Sequence, residues 1–97
     1  LIEQIACNLT IGAQISFYST QVGSELDLVI EKGRHRLGID IKFSMSPKVS
    51  RGFWQALNDI EASAAYIIAP VPMQYSYKEN VQVMSVQHFI RDVVPLL

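Results

Sequence analysis

Residues 24–44 read SELDLVIEKGRHRLGIDIKFS, and this stretch decides the fold. Two runs rich in apolar residues, Glu25 to Glu31 and Arg36 to Phe43, flank Lys32-Gly33-Arg34-His35. That pattern predicts two antiparallel strands joined by a short turn. Side chains alternate across a strand. Leu26, Leu28 and Ile30 therefore share one face of the first strand. Leu37, Ile39, Ile41 and Phe43 share one face of the second. The two apolar sets must lie on the same side to build a core. Asp27, Asp40 and Lys42 then fall together on the other side. A four-residue turn sets Asp27 opposite Asp40 and Glu25 opposite Lys42. A turn of only Lys32-Gly33 sets Asp27 opposite Gly38, with Asp40 on the diagonal. In both registers the aspartates lie within roughly 5–8 Å at Cβ. Like charges so placed repel unless compensated, and Lys42 or a divalent cation could compensate them. The alternative is a solvated outer face bearing a ladder of charges.

The same reading extends along the chain. Leu1-Ile2, Ile5-Ala6 and Leu9 recur at helical spacing, so residues 1 to 11 are predicted helical, with Gly12 as the stop. Gln14 to Ser19 alternates and reads as a strand, with Ile15 and Phe17 on one face and Ser16 and Tyr18 on the other. Ser44 to Pro47 breaks the pattern. From Lys48 to Glu61, the residues Val49, Phe53, Ala56, Leu57 and Ile60 fall on one helical stripe. AAYIIA, residues 64–69, is short, apolar and ended by Pro70, as a buried strand would be. Residues 72–80 are predicted as a loop, 81–84 as a last short strand and 86–94 as a final helix. The order α-β-β-β-α-β-(β)-α predicts an α/β (α+β) domain, a mixed sheet with helices packed on it.

The chain has 97 residues, so one domain spanning 1–97 is expected. Its hydrophobic fraction is 49%, and its charged fraction of 18% is low for an isolated domain. That balance predicts apolar surface covered by a partner or by further chain. A net charge of −1 excludes a globally basic nucleic-acid binder but leaves room for a local basic patch. The lone cysteine, Cys7, has no internal disulfide partner. It is expected as a small buried residue on the first helix, and it fits a reducing, cytoplasmic compartment. No apolar run approaches the ~20 residues that span a membrane, and the first residues lack the features of a signal peptide. The chain opens at Leu1 in an apolar helical pattern, as a piece of a longer protein would.

Two facing aspartates with a lysine on the same face have a chemical use. A hard cation such as Mg²⁺ (or Mn²⁺ in its place) takes oxygen ligands: carboxylates, carbonyls, waters and substrate phosphate. Asp27 and Asp40 offer carboxylates, and the backbone carbonyl of Ile41 offers a further oxygen. Lys42 could orient an attacking water or neutralise charge developing on a phosphoryl group.

The stretch SELDLVIEKGRHRLGIDIK resembles the core of the PD-(D/E)XK nuclease superfamily, with Asp27 at the first acid, Asp40 at the second and Lys42 at the lysine. The fuller stretch from ISFYSTQVGSELDLVIEKG to GIDIKFS is similar to the C-terminal domain of unknown function appended to bacterial and archaeal AAA-type ATPases. The resemblance covers roughly residues 11 to 90. It implies a restriction-endonuclease-like fold acting on or binding DNA phosphates, with Mg²⁺-dependent phosphodiester hydrolysis as its catalytic form. It also implies an N-terminal ATPase portion as a partner in the same chain. The alternative is a catalytically inactive DNA-binding or protein-interaction module.

There are departures from the pattern. The second acid is Asp rather than the commoner Glu, and Leu26 precedes Asp27 where Pro is common. The first-helix acid of active members has Glu3 as its equivalent, or a residue upstream of these. No G-x-x-x-x-G-K-[ST] occurs, so these residues carry no nucleotide-binding loop. Lys48 and Arg51 are further candidates for phosphate contact. Gln55 is placed on a solvated helix face, Phe53 and Trp54 in the core or an interface, and Tyr75 and Tyr77 in a packed loop. His35 and His88 show no ligand spacing. The oligomeric state stays open.

Overall fold

The computed structural model describes residues 2–9, 11–78 and 80–97. The predicted hairpin is its spine. Strand β2 (Glu25–Lys32) pairs antiparallel with β3 (His35–Ile41), with Glu31 opposite Arg36 and Lys32 opposite His35. The loop is thus only Gly33-Arg34, yet the register is that expected for the four-residue turn. Gly33, at φ +59, takes the left-handed backbone that a two-residue hairpin needs at this position.

Strand β1 (Gln14–Ser19) pairs antiparallel on the outer side of β2. Strands β4 (Ala64–Ile68), β5 (Tyr75–Lys78) and β6 (Val81–Met84) complete a six-stranded sheet of order β1-β2-β3-β4-β6-β5. The β3–β4 and β4–β6 pairs are parallel, and β5 returns antiparallel on β6. The mixed sheet with helices is therefore the observed fold class.

Helices cover both faces, which is why β4 has no polar side. Helix α1 (Ile2–Asn8) and the C-terminal segment pack on one face. There Ile5, Leu28, Ile30, Ile39 and Phe89 have no exposed surface. Helix α2 (Arg51–Asp59) packs on the other through Phe53 and Ala56, against Val29, Ala65, Ile67 and Val83. Helix α2 ends where Glu61 takes φ +53. The N–H groups of Glu61 and Ala62 then donate to the carbonyls of Asn58 and Leu57. The Arg36 guanidinium adds a cation at this end, donating to the Ile60 carbonyl at 2.7 Å.

Several expectations are corrected. The first is strand parity in β2. Ser16 pairs with Val29 and Tyr18 with Leu26, so Phe17 alone faces both Asp27 and Leu28. This β-bulge flips the alternation: Leu26 packs with Val29 under α2, while Leu28 and Ile30 face α1. Phe43 lies beyond the end of β3 and is 84% exposed, because the parallel pairing with β4 ends one residue earlier, at Lys42. Cys7 is exposed, on the outer side of a helix that buries Ile5. The predicted first helix is shorter, and Leu1, predicted to begin it, lies outside the described residues. Helix α2 begins three residues later than predicted, since Ser50 is still extended. Strand β5 replaces part of the predicted loop. The final helix is a short α-turn, α3 (Val86–His88), that widens into a π-turn over Phe89–Val93 and tightens into a 3₁₀ turn over Val94–Leu96.

Two features bear on later points. Edge strand β1 carries no charged side chain, and its Phe17 is 70% exposed. At the start of α2, Gly52 lies so close to the turn between β1 and β2 that a Cβ there would run into the carbonyl oxygen of Gly23. Backbone cannot swing aside as a side chain can. Gly52→Ala is therefore expected to destabilise the domain by about 2–3 kcal/mol. Urea unfolding measures this, and a cost under about 0.5 kcal/mol would show that the turn yields freely.

Candidate functional site

The hydrogen-bonded ladder between β2 and β3 stops at Leu28 and Ile39. Beyond it the strands need other partners. The N–H of Lys42 still donates to the Ile68 carbonyl of β4, at 2.9 Å. Alternation therefore turns the N–H of Ile41 toward β2. There it finds a side chain instead of backbone: Asp27 Oδ2 accepts it at 2.8 Å. The bulge is what frees Asp27 to do this. In an extended strand the N–H and C=O of one residue leave on the same side, so the Ile41 carbonyl also opens toward Asp27.

The Asp40 carboxyl lies beside that of Asp27, whose proximity raises its affinity for a proton, and Lys42 Nζ lies 3.1 Å from Asp40 Oδ2. The three residues come together at the open end of the β2–β3 pair, but not on one face of the sheet as expected. Simple alternation is not the route. Asp40 follows Gly38, which faces Leu57 of α2, whereas Asp27 borders a cleft on the α1 side. The strand end is where the two sides can touch.

The expected alternative, a solvated outer face, does not hold for Asp40, which is only 6% exposed. Burial pushes its carboxyl up to about 6 from the usual 3.8. The Asp27 carboxyl adds to the rise, and the Lys42 ammonium opposes it. Asp40 thus holds its proton into the mildly acidic range.

Glu3 reaches the same neighbourhood. It lines a cleft of about 510 Å³ together with Ile2, Asp27, Ile41 and Phe43. Even so, among the described residues no three His, Cys, Asp or Glu side chains converge as a metal-binding group. The side-chain set is two carboxylates and an ammonium.

Lys48 and Arg51 are exposed. Arg51 lines a separate cleft with Val22, Gly23, Ser24, Gln55 and Asp59. The Gln55 amide is engaged with Asp59 at 3.0 Å. Phe53 is buried, and Trp54 is half-buried, stacked on Tyr77. Two residues beside the cluster escaped the sequence reading. Phe43 was expected in the core, and Gln87 carried no motif. The only sequence signal for Phe43 was the Ser-Met-Ser-Pro that follows it.

The fold and the strand-end cluster together define a mixed-sheet α/β domain with a paired-acid, lysine-flanked site. Residues 2–89 match the model of DUF4143, a domain of unknown function, and the chain belongs to that family. No curated protein and no solved structure matches it. None of the helices is long and apolar enough to cross a membrane, among the described residues.

Proposed function

We propose that this cluster handles the phosphodiester groups of DNA with the help of a divalent cation, in the manner of the PD-(D/E)XK nucleases that the hairpin resembles. The observation that carries the reading is the Asp27–Ile41 contact. It gathers two carboxyls and a backbone carbonyl at a strand end, with an ammonium alongside. An oxygen-only donor set of this kind suits Mg²⁺ or Mn²⁺. A bound cation would reverse the repulsion between the acids and a phosphate, and would polarise the phosphoryl oxygen. Asp27 and Asp40 would hold the cation, with the Ile41 carbonyl. Lys42, beside Asp40, would neutralise charge gathering on the phosphoryl group. Glu3, beside Asp27, is the nearest candidate for a further oxygen.

Calorimetric titration with Mg²⁺ and Mn²⁺, run beside a nicking assay on supercoiled and branched DNA, tests this. Metal-dependent nicking is expected, abolished by Asp40→Asn. Lys42→Ala should slow the reaction more than it weakens cation binding. Cation binding should tighten as pH rises through about 6, because Asp40 must lose its proton first. Nicking that survives Asp40→Asn would reject the reading.

A second reading has its own support. Only two acids converge among the described residues, and Lys42 is already paired. On that reading the domain is a catalytically silent module that docks DNA or a protein for an AAA-type ATPase portion. DNA binding without cleavage, unaffected by cation, is its signature.

A further inference from the structure

We infer that the cleft between Phe43 and Gln87 receives an unpaired nucleobase, with the ring of Phe43 as its stacking face. The inference rests on the proposed phosphate-handling role of the neighbouring acids, and names the form of nucleic acid that the site prefers.

Phe43 directly follows Lys42 and is 84% exposed. Scattered apolar residues on a surface are ordinary. This one is the common wall of two clefts. On one side lies the acidic cleft of Asp27 and Glu3. On the other lies a smaller cleft of about 280 Å³, floored by Ile68, Pro70 and Val86, with Lys42 and Gln87 among its lining residues. Its surface is mainly apolar, and its volume falls below the range of drug-sized pockets, so it suits one flat ring rather than a helix or a folded loop.

The polar groups decide between occupants. The Gln87 amide makes no hydrogen bond to another described residue, so both its donor and its acceptor are available. An apolar peptide side chain filling the cleft would strip water from that amide and would offer it no partner. A nucleobase stacked on Phe43 offers the amide its edge. Aromatic stacking needs an open base face, and the faces of a base in a duplex are covered by its neighbours. The site therefore favours single strands, frayed ends and branch points.

Anisotropy titrations of fluorescent single-stranded and duplex oligonucleotides, run with Mg²⁺ and again in EDTA, test the base site with and without the cation. Phe43→Ala is expected to weaken single-strand binding roughly tenfold and to leave duplex binding unchanged. Phe43→Trp is expected to restore it, with quenching of the new indole over the Trp54 background. Gln87→Leu should weaken single-strand binding with the fold intact. Equal single-strand affinity for the parent and Phe43→Ala overturns the inference, as does the lack of any oligonucleotide binding. A Phe43→Ala variant that changes sedimentation instead of oligonucleotide affinity marks the patch as a protein contact, and also overturns it. Calorimetric cation titration separates the two readings. If the parent binds no Mg²⁺ or Mn²⁺ but the single-strand effect persists in EDTA, the metal reading falls and the base site stands. If the parent binds cation and Phe43→Ala changes nothing, the reverse holds.

Discussion

Asp40→Asn is expected to make the protein more stable at pH 7 while abolishing whatever cation affinity the strand end has. The carboxyl of Asp40 sits at about 6 in the folded chain, raised by burial first and by Asp27 second. Unfolded, it returns to about 4. Between these values the folded state holds the proton more tightly than the unfolded one. Stability from this group is therefore full below about pH 4 and is lost as pH rises through 6, by about 3 kcal/mol in all. Asn keeps the shape and can donate to Asp27, yet it has no proton to lose. The variant should gain up to about 3 kcal/mol at pH 7, several degrees in Tm for a domain of this size, and the gain should shrink toward zero near pH 4. The released Lys42 ammonium is about a third exposed and turns to water at little cost. Thermal unfolding at pH 4, 5, 6 and 7 checks the trend. A variant less stable than the parent at pH 7, or a gain that ignores pH, would contradict this account of Asp40. The same substitution should remove the cation response in calorimetry, since an amide oxygen carries no charge to replace the lost ligand.

Ile39→Ala should give the largest loss of stability among single substitutions in the core, about 4 kcal/mol. Ile39 has no exposed surface and sits in β3, which pairs with β2 on one side and β4 on the other. Its neighbours on that face include Leu28, Ile68 and Phe89. Tyr66 and Phe89 hold each other edge to face at 5.3 Å, so the surrounding aromatics are not free to collapse into the hole. Lost apolar transfer and a persistent cavity therefore add together. Urea unfolding with an unchanged slope is the measurement. A loss below about 1 kcal/mol would place this face at the periphery rather than at the centre.

The hairpin was legible because alternation over eight residues leaves few registers. Glu31 opposite Arg36 follows from it; the meeting of Asp27 and Asp40 does not, because the bulge breaks the alternation at Asp27 and brings it to the open strand end. The α2 stripe and the apolar AAYIIA run were legible for the same reason: a long period, or a short run closed by proline. What escaped was set by tertiary context. The bulge at Asp27 and Leu28 is a relation between two strands, and nothing in LDLVI marks which residue is extra. Strand β5, Tyr-Ser-Tyr-Lys, is an edge strand with little to bury, so it has no apolar alternation to announce it. It is held by the pairing with β6 and by the stack of Tyr77 on Trp54, with Lys78 over that ring. Phe43 looked like one more core residue because the end of the parallel pairing with β4 cannot be read from β3 alone. The burial of Asp40 was hidden too, since its cause is that helices cover both faces.

Strand β1 has consequences for how the protein behaves in concentrated solution. From Gln4 to Ser24 the chain has no acidic or basic residue, and this stretch includes the whole outer strand of the sheet. The free side of that strand offers unpaired N–H and C=O groups to any extended chain that arrives, and no lysine or proline guards it. Two molecules meeting edge to edge there feel no local charge repulsion, and Phe17 adds apolar contact. Light scattering should rise with concentration while the core stays folded, and a single lysine at position 17 should suppress it.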